Sequence, residues 1–215
     1  SLGLVGDPGA ILNAVLDASM INRDNGSQNR NAWLTELRSL EEQKTAKIMR
    51  QFRTDKCPIS PYRVAWELNE FIRDDTVYIG DGGDVVTISA QAVQPKSPGH
   101  WMDPGALGSL GVGTGFALAT KLVHPEKEVL WYYGDGSFGM TAFDMETANR
   151  FGAPYIAVIG NNSAMNQIRF GQITKYGEER GGTGNLLGDV PFSKFGEMLG
   201  GYGEEVTKPE NIAPA

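Results

Sequence analysis

Cysteine and long apolar runs are scarce in this sequence, and each scarcity excludes a class of protein. The single cysteine, Cys57, excludes an intramolecular disulfide and favours the reducing conditions of the cytoplasm. No apolar segment is long enough to cross a bilayer, and the first residues lack the basic run typical of a signal peptide. We therefore predict a cytoplasmic protein that does not act at a membrane.

Basic residues are also few: the sequence has 19 Lys and Arg and 26 Asp and Glu, so the net charge is −7. A chain of this charge is not expected to bind nucleic acid, whose phosphates attract basic surfaces. Hydrophobic residues make up 40% and charged residues 21%, which is ordinary for a globular protein. With 215 residues, the chain is long enough for one full α/β domain and some flanking structure.

Short apolar runs alternate with amphipathic segments through most of the chain. The predicted strands are 76–79, 129–133 and 155–159, and the predicted helices are one that begins at Ser60-Pro61, 111–123 and 142–150. Continuous apolar strands separated by helices are typical of a buried parallel sheet. The predicted fold class is α/β, with three layers: a central, mostly parallel sheet and helices on both faces.

The segments at either end are predicted with less regular structure. They are a strand over 2–5, a turn over 6–9, a helix over 10–16, a polar loop over 24–29, one surface helix over 33–52, and a turn into a helix over 206–212. The main domain is expected to begin at Pro58.

Polar residues follow two of the predicted strands at the points where ligands bind in parallel α/β sheets. Gly134-Asp135-Gly136-Ser137 ends one strand, and Asn161-Asn162 ends the next. Magnesium prefers oxygen ligands such as the Asp135 carboxylate, the Asn162 amide oxygen and a main-chain carbonyl beyond it. The glycines beside Asp135 would let a diphosphate approach the backbone, with amides at the start of the next helix as donors.

A single Gly-Asp-Gly is weak support for such a site. Gly80-Asp81-Gly82 is a second copy with no Asn-Asn at a comparable distance, and an isolated copy is more often a turn between strand and loop. The combination of the motif, a helix, a strand and Asn-Asn is far more restrictive.

That combination resembles the thiamine diphosphate (ThDP) signature of the decarboxylase and acetolactate synthase superfamily. The resemblance implies that the Asp135 and Asn162 side chains and the Ala164 carbonyl bind magnesium, and that Gly136 and Ser137 contact the diphosphate. The family often has glycine at the position of Ala164. The implied cofactor-binding residues are Gly83, Asp84, Gly108, Leu110, Gly134, Asp135, Gly136, Ser137, Asn162, Ala164, Met165 and Asn166.

Two further segments contribute to that set. The stretch 105–111 resembles the family segment in which an apolar side chain separates the two cofactor rings and a glycine carbonyl accepts a bond from the aminopyrimidine. Those positions fall on Leu110 and Gly108; without the Asp135–Asn162 pair, a helix start packed on the sheet would be the better interpretation. Gly82-Gly83-Asp84 resembles the loop that contacts the diphosphate from the first strand end.

The resemblance also implies a division of the chain and a missing part. Residues 1–22 would be the end of a middle domain, 23–57 a linker and surface helix, and 58–215 the diphosphate- and magnesium-binding domain, truncated at its C-terminal end. In the family, a glutamate from a separate pyrimidine-binding domain starts the proton relay. We predict that domain elsewhere in the polypeptide or in another subunit of a homodimer or homotetramer. No catalytic residue is assigned in this chain, because Glu146 is expected to pack or cap a helix.

The stretch 138–151 is similar to the 2-hydroxyacyl-CoA lyase and oxalyl-CoA decarboxylase branch of the superfamily. This implies a lyase that cleaves a 2-hydroxyacyl-CoA to an aldehyde or ketone and formyl-CoA. Two alternatives stay open: an acetolactate synthase-like enzyme or 2-keto acid decarboxylase acting on free acids, and a non-catalytic ThDP-binding module that only assembles with a partner.

Other polar residues near these segments are less informative. Arg169 could bind an anionic substrate group, but an exposed helix arginine is the safer interpretation. Residues 176–189 are predicted as a loop that closes over substrate or as a plain surface loop. Of the two histidines, His124 is expected to be structural and His100 has no assigned role.

Overall fold

The computed structural model describes residues 3–21 and 27–215, which divide into two compact units, one ending at Arg50 and the other beginning at Gln51. The first unit contains helix α1 (Pro8–Ile21) and most of helix α2 (Ser27–Phe52). The strand predicted over 2–5 is wrong for the described residues 3–5, which have no regular structure and no neighbouring strand to pair with. Residues 24–26 of the predicted loop lie outside the described residues, and 27–29 are helical.

The second unit alternates strands and helices. Its elements are α3 (Pro61–Phe71), β1 (Val77–Asp81), α4 (Gly83–Ala92), β2 (Trp101–Met102), α5 (Val112–Val123), β3 (Val129–Gly134), α6 (Asp135–Thr141), α7 (Asp144–Arg150), β4 (Ile156–Gly160), α8 (Asn166–Tyr176), α9 (Glu178–Gly181) and α10 (Phe192–Met198). Short 3-10 turns lie at Gly105–Leu107 and Pro209–Asn211. No described helix is long and apolar enough to span a membrane.

The four strands form one parallel sheet in the order β2-β1-β3-β4. Ile79 pairs with Trp131, and Trp131 pairs with Ala157, so the same register continues across β1, β3 and β4. The chain moves one way along the sheet from β1 to β2 and the other way from β2 to β3. Right-handed crossovers then place α4 on one face and α5 on the opposite face. This arrangement confirms the predicted α/β class.

Alternating side chains of the sheet build a core on each face. On one face, Val77, Ile79 and Trp131 pack with Ala117 of α5 and Phe138 of α6. On the other, Tyr78 is fully buried and its hydroxyl donates to Ser89 Oγ of α4 at 2.6 Å. Burial raises the pKa of the Tyr78 phenol far above its usual range, so the group stays neutral. Both faces are therefore covered, which explains why the strands are continuous apolar runs.

Two helices, α4 and α6, begin at strand ends where the sequence pattern favours glycine-rich turns. The helix predicted from 142 is preceded by α6, which starts at Asp135 directly after β3. The short strand β2 and the helices α4, α9 and α10 have no counterpart among the predicted elements, and α8 is anticipated only by the interpretation of Arg169 as a helix residue. Residues 206–212 contain only a single 3-10 turn.

Candidate functional site

The carboxyl ends of β1, β3 and β4 lie side by side at one edge of the sheet. β1 ends at Asp81, β3 runs into Asp135, and β4 runs into Asn161-Asn162. Because the strands are parallel and in register, these polar residues share the edge where parallel sheets bind ligands.

The Asp135 carboxylate is the centre of one cluster at this edge. It is 5% exposed, and its Oδ1 accepts a hydrogen bond from the Gly136 amide at 2.7 Å. Its Oδ2 accepts from the amides of Asn162 and Ala164, each at 3.2 Å. The carboxylate therefore joins the end of β3 to the turn that follows β4.

Asn162 and Ala164 complete this cluster. Asn162 Oδ1 also accepts from the Ala164 amide at 3.2 Å, so the Asn162 and Asp135 oxygens converge on one N–H group. Between them, Ser163 has a left-handed backbone with φ of 54°. A non-glycine residue rarely adopts this conformation, and such strain is concentrated at functional sites.

The backbone of Ala164 faces the same cluster. Ala164 and Leu186 form an isolated antiparallel bridge, held by Met165 N to Asn185 O at 2.8 Å and Leu187 N to Ser163 O at 2.7 Å. In this pattern the bridged residues turn their own N–H and C=O groups away from the partner segment. The Ala164 carbonyl is thus not used by the bridge, and the Ala164 N–H donates to Asp135 and Asn162.

These three oxygens fit a hard divalent cation such as Mg²⁺, which takes carboxylate, amide and carbonyl ligands and keeps positions for water and phosphate. The described residues contain no group of three His, Cys, Asp or Glu side chains able to hold a metal. A cation at this edge would therefore depend on the amide and carbonyl oxygens beside the single carboxylate.

The two glycines that flank Asp135, Gly134 and Gly136, have little free space beside their backbones. A Cβ on Gly136 would lie 2.4 Å from Met165 Sδ and 3.3 Å from Leu187 Cδ1. A Cβ on Gly82 would lie 3.0 Å from the Gly134 nitrogen, and the Gly82 φ is 125°. The carboxyl ends of β1 and β3, which are neighbours in the sheet, therefore approach each other through glycine backbone.

Ser137 and Asp81 form a second, buried cluster. The Ser137 hydroxyl donates a short hydrogen bond to Asp81 Oδ1 and accepts one from the Gly111 amide at 3.1 Å. Asp81 is fully buried and accepts two more bonds, from the Gly111 amide at 3.1 Å and the Gly113 amide at 2.7 Å. What Ser137 can still offer a ligand at this edge is its backbone amide.

The stretch predicted to hold the cofactor rings leads into this second cluster. Gly108 is exposed and Leu110 is half-buried, directly before Gly111 and the start of α5. Within the described chain, no hydrogen bond joins either residue to Asp135. The link from this stretch to the strand ends runs through Gly111 and Ser137.

The start of α4 contacts the start of α8. A Cβ on Gly83 would lie 1.7 Å from Gln167 Oε1, so the Gln167 amide covers the Gly83 backbone. Asp84 is half-buried, and desolvation raises the pKa of its carboxyl above the usual value. Asn166 is the first residue of α8 and lies next to Gln167.

Other candidates lie away from these clusters or pair locally. Glu146 forms an ion pair with Arg150 at 3.0 Å on the surface of α7, and His124 lies 3.7 Å from Glu126. His100 precedes β2, with Nε2 2.8 Å from Lys127 Nζ, at the amino edge of the sheet opposite the site. The half-buried Arg169 has an Nε without a hydrogen-bond partner in the described chain.

The segment 176–189 contains α9 and a strand-like piece over 185–187. Asn185 is 3% exposed, and its Nδ2 donates to Gln172 Oε1 at 2.6 Å and to the Gly181 carbonyl at 2.8 Å. This segment therefore packs on α8 and on the turn that contains Ala164.

The structure brings together most of the residues predicted from the sequence. Asp135, Asn162 and Ala164 share hydrogen bonds, Met165 covers Gly136, and Ser137 joins the segment of Leu110. Sequence reasoning gave no site role to Asp81 or Asn185. Asp81 alone carried a signal, because its Gly-Asp-Gly repeats the second motif at the end of a neighbouring strand.

The fold and this edge define a parallel α/β domain with backbone amides and polar oxygen atoms gathered at the carboxyl ends of its strands. The family described as "Thiamine pyrophosphate enzyme, C-terminal TPP binding domain" matches residues 81–215. The chain belongs to this family, which confirms the predicted superfamily and thiamine diphosphate as its cofactor.

Individual relatives fall into two groups. The chain is 39% identical over 153 residues to 2-hydroxyacyl-CoA lyase 2 of Mus musculus, covering 68% of this chain and 23% of that protein. The corresponding protein of Caenorhabditis elegans is 33% identical over 177 residues, covering 81% and 27%. A probable acetolactate synthase of Mycobacterium bovis is 31% identical over 213 residues, covering 99% and 37%. The chain thus spans between about a quarter and somewhat over a third of these relatives.

Proposed function

We propose that this chain is the diphosphate- and magnesium-binding part of a carbon–carbon lyase that cleaves a 2-hydroxyacyl-CoA to an aldehyde or ketone and formyl-CoA. The observation that carries the proposal is the convergence of Asp135, Asn162 and Ala164 at the carboxyl edge of the sheet. The similarity to proteins named 2-hydroxyacyl-CoA lyase 2 supports the choice of substrate class.

In this proposal, the Asp135 carboxylate, the Asn162 amide oxygen and the Ala164 carbonyl hold Mg²⁺. The backbones of Gly134, Gly136 and Ser137 face the diphosphate, with Gly83 and Asp84 on its other side and Met165 and Asn166 beside it. Gly108 and Leu110 orient the rings. Bound thiamine diphosphate would supply the nucleophilic carbon at which the carbon–carbon bond is cleaved.

The reaction needs a pyrimidine-binding domain from the rest of the polypeptide or from another subunit, because no acid or base in this chain is assigned to catalysis. We propose a homodimer or homotetramer as the setting in which the two domains meet. The cytoplasmic location predicted from the single cysteine also stays a proposal.

An acetolactate synthase-like activity is the second candidate. It is favoured by the probable acetolactate synthase of Mycobacterium bovis, whose similarity extends over 99% of the chain, including the first 50 residues. Such an enzyme would act on free 2-keto acids and would not depend on a coenzyme A group.

A product assay on the intact protein with Mg²⁺ and thiamine diphosphate distinguishes these candidates. We expect formyl-CoA and an aldehyde or ketone from 2-hydroxyacyl-CoA thioesters, and no turnover of free 2-keto acids. Turnover of free acids alone would replace the lyase with the second candidate. Binding of Mg²⁺ and thiamine diphosphate without turnover of either substrate would instead support a non-catalytic module.

A further inference from the structure

Asp81 is a buried carboxylate that none of the predicted roles uses. It ends β1, is 0% exposed, and has no cationic side chain among its hydrogen-bond partners in the described chain. A buried carboxylate in such a position is costly unless hydrogen bonds compensate it. Three donors do so here: the Ser137 hydroxyl and the amides of Gly111 and Gly113.

These donors belong to two different parts of the candidate site. Gly111 and Gly113 lie at the start of α5, directly after the stretch that contains Gly108 and Leu110. Ser137 lies at the start of α6, directly after Asp135. The two oxygens divide the donors, since Oδ1 accepts from Ser137 and Gly111 and Oδ2 accepts from Gly113.

We propose that Asp81 is a positioning residue that fixes the ring-binding stretch, with Gly108 and Leu110, relative to the diphosphate-binding backbone of Ser137. The inference rests on the proposed function, because it concerns how the two halves of one cofactor are held in register. Asp81 does not contact the cofactor in this scheme; it acts through the amides at the start of α5.

Asp81→Asn tests this geometry with almost no change in volume. An asparagine can still accept from Ser137 and Gly111 through its one oxygen, but its NH₂ group then faces the Gly113 N–H. Two donors in contact disfavour the native position of α5. The start of α5 should move while the Ser137 turn keeps its place.

The probes are thiamine diphosphate and inorganic pyrophosphate, each titrated calorimetrically into the intact protein with saturating Mg²⁺. Pyrophosphate needs only the diphosphate half of the site, whereas thiamine diphosphate needs both halves. We expect Asp81→Asn to weaken thiamine diphosphate binding by about tenfold or more and pyrophosphate binding by less than about threefold. A residue with only a structural role would not change this ratio.

Tyr78→Phe is the matched control, because it removes one buried hydrogen bond of the same strand on the face away from α5. It should lower the unfolding temperature and leave the ratio of the two affinities unchanged. Equal losses for both probes in Asp81→Asn, or no loss for either, would overturn the inference. If the parent protein binds neither thiamine diphosphate nor pyrophosphate, the proposed function itself would be overturned.

If Asp81→Asn does not fold, Ser137→Ala tests the same link from its other end. It removes the hydroxyl and keeps the backbone amide that faces the diphosphate. We expect a loss for thiamine diphosphate of about threefold to tenfold that exceeds the loss for pyrophosphate. Equal losses would again overturn the inference.

Discussion

The tripeptide Gly-Asp-Gly occurs twice at the same edge of the sheet, and the two copies have different surroundings. Asp81, in the first copy, is fully buried and bonds to the start of α5 and to Ser137. Asp135, in the second, bonds to the turn after β4, where Asn162 and Ala164 offer further oxygens. Identical residues at neighbouring strand ends thus differ in role because different segments of the chain pack against them.

Both carboxylates accept three hydrogen bonds within the protein, so the number of donors does not distinguish the two copies. The second faces a turn in which oxygen atoms as well as amides converge, so a cation can be added. The presence of Asn-Asn after the adjacent strand, and not the tripeptide itself, is what distinguishes the proposed ligand site from the structural copy.

Replacement of Asp135 tests this difference with the largest expected effect. Asp135→Ala removes the only carboxylate of the proposed metal site, and we expect the affinity for thiamine diphosphate in the presence of Mg²⁺ to fall by about 100-fold or more. Titration calorimetry with and without Mg²⁺ would measure it. Binding as tight as in the parent would show that Asp135 does not hold the cation.

The close approach of Gly82 to Gly134, one glycine from each Gly-Asp-Gly copy, gives the second prediction. A Cβ at Gly82 would lie 3.0 Å from the Gly134 nitrogen, with a φ of 125° that only glycine adopts readily. We expect Gly82→Ala to lower the free energy of unfolding by about 2–3 kcal/mol, because the conformation is strained and the neighbouring atom is rigid backbone. Urea denaturation would measure the change.

Gly115→Ala is the control for that experiment. Gly115 lies in α5, is exposed, and would have no atom within 4 Å of an added Cβ. Alanine is the better helix former, so this variant should be as stable as the parent or more stable by up to about 1 kcal/mol. A loss of stability equal to that of Gly82→Ala would contradict the role given to the close approach.

The turn that distinguishes the second copy depends on the segment 185–187. We expect Asn185→Ala to cost about 1–3 kcal/mol of stability, because the Gln172 oxygen and the Gly181 carbonyl lose a buried donor. The exposed amide of Gln91, which bonds to Thr87 O, offers a comparison: Gln91→Ala should change stability by less than about 0.5 kcal/mol.

The Mg²⁺ dependence of thiamine diphosphate binding provides a second measurement on Asn185→Ala. The main-chain carbonyl of Asn185 accepts a hydrogen bond from the Met165 amide. If the substitution loosens the segment 185–187, the strained turn at Ser163 should therefore loosen as well. The concentration of Mg²⁺ needed for half-maximal binding of thiamine diphosphate should therefore rise. A stability loss with unchanged Mg²⁺ dependence would show that the turn keeps its shape without the segment.

The sequence predicts the parallel sheet well, since β1, β3 and β4 are continuous apolar runs with a clear physical cause. It also predicts that Asp135 and Asn162 lie close together, because parallel strand ends meet at one edge, whereas Ala164 is assigned from the family resemblance. It could not predict the role of Asp81, whose three donors come from residues 30 to 56 positions away. The helices that start at Gly83 and Asp135 were missed because glycine and aspartate at strand ends also suit loops.

Asp84, in the first turn of α4 after the first copy, gives the smallest expected effect. Desolvation raises the pKa of its carboxyl above that of the unfolded chain, so the folded state holds the proton more tightly. Stability from the protonated form is present at low pH and is lost as the pH rises through the raised pKa. At pH 7 the ionised group therefore destabilises the ligand-free fold.

Asp84→Asn should accordingly raise the unfolding temperature of the ligand-free protein at pH 7, by no more than about 2 °C. The difference should shrink as the pH falls through the raised pKa toward that of the unfolded chain, because the parent carboxyl then also becomes neutral. Calorimetric scans across this range would measure it. A destabilised variant at pH 7 would show that the Asp84 carboxylate makes stabilising contacts in the ligand-free protein that outweigh its desolvation, so that the start of α4 would be held by this charge as well as by its backbone.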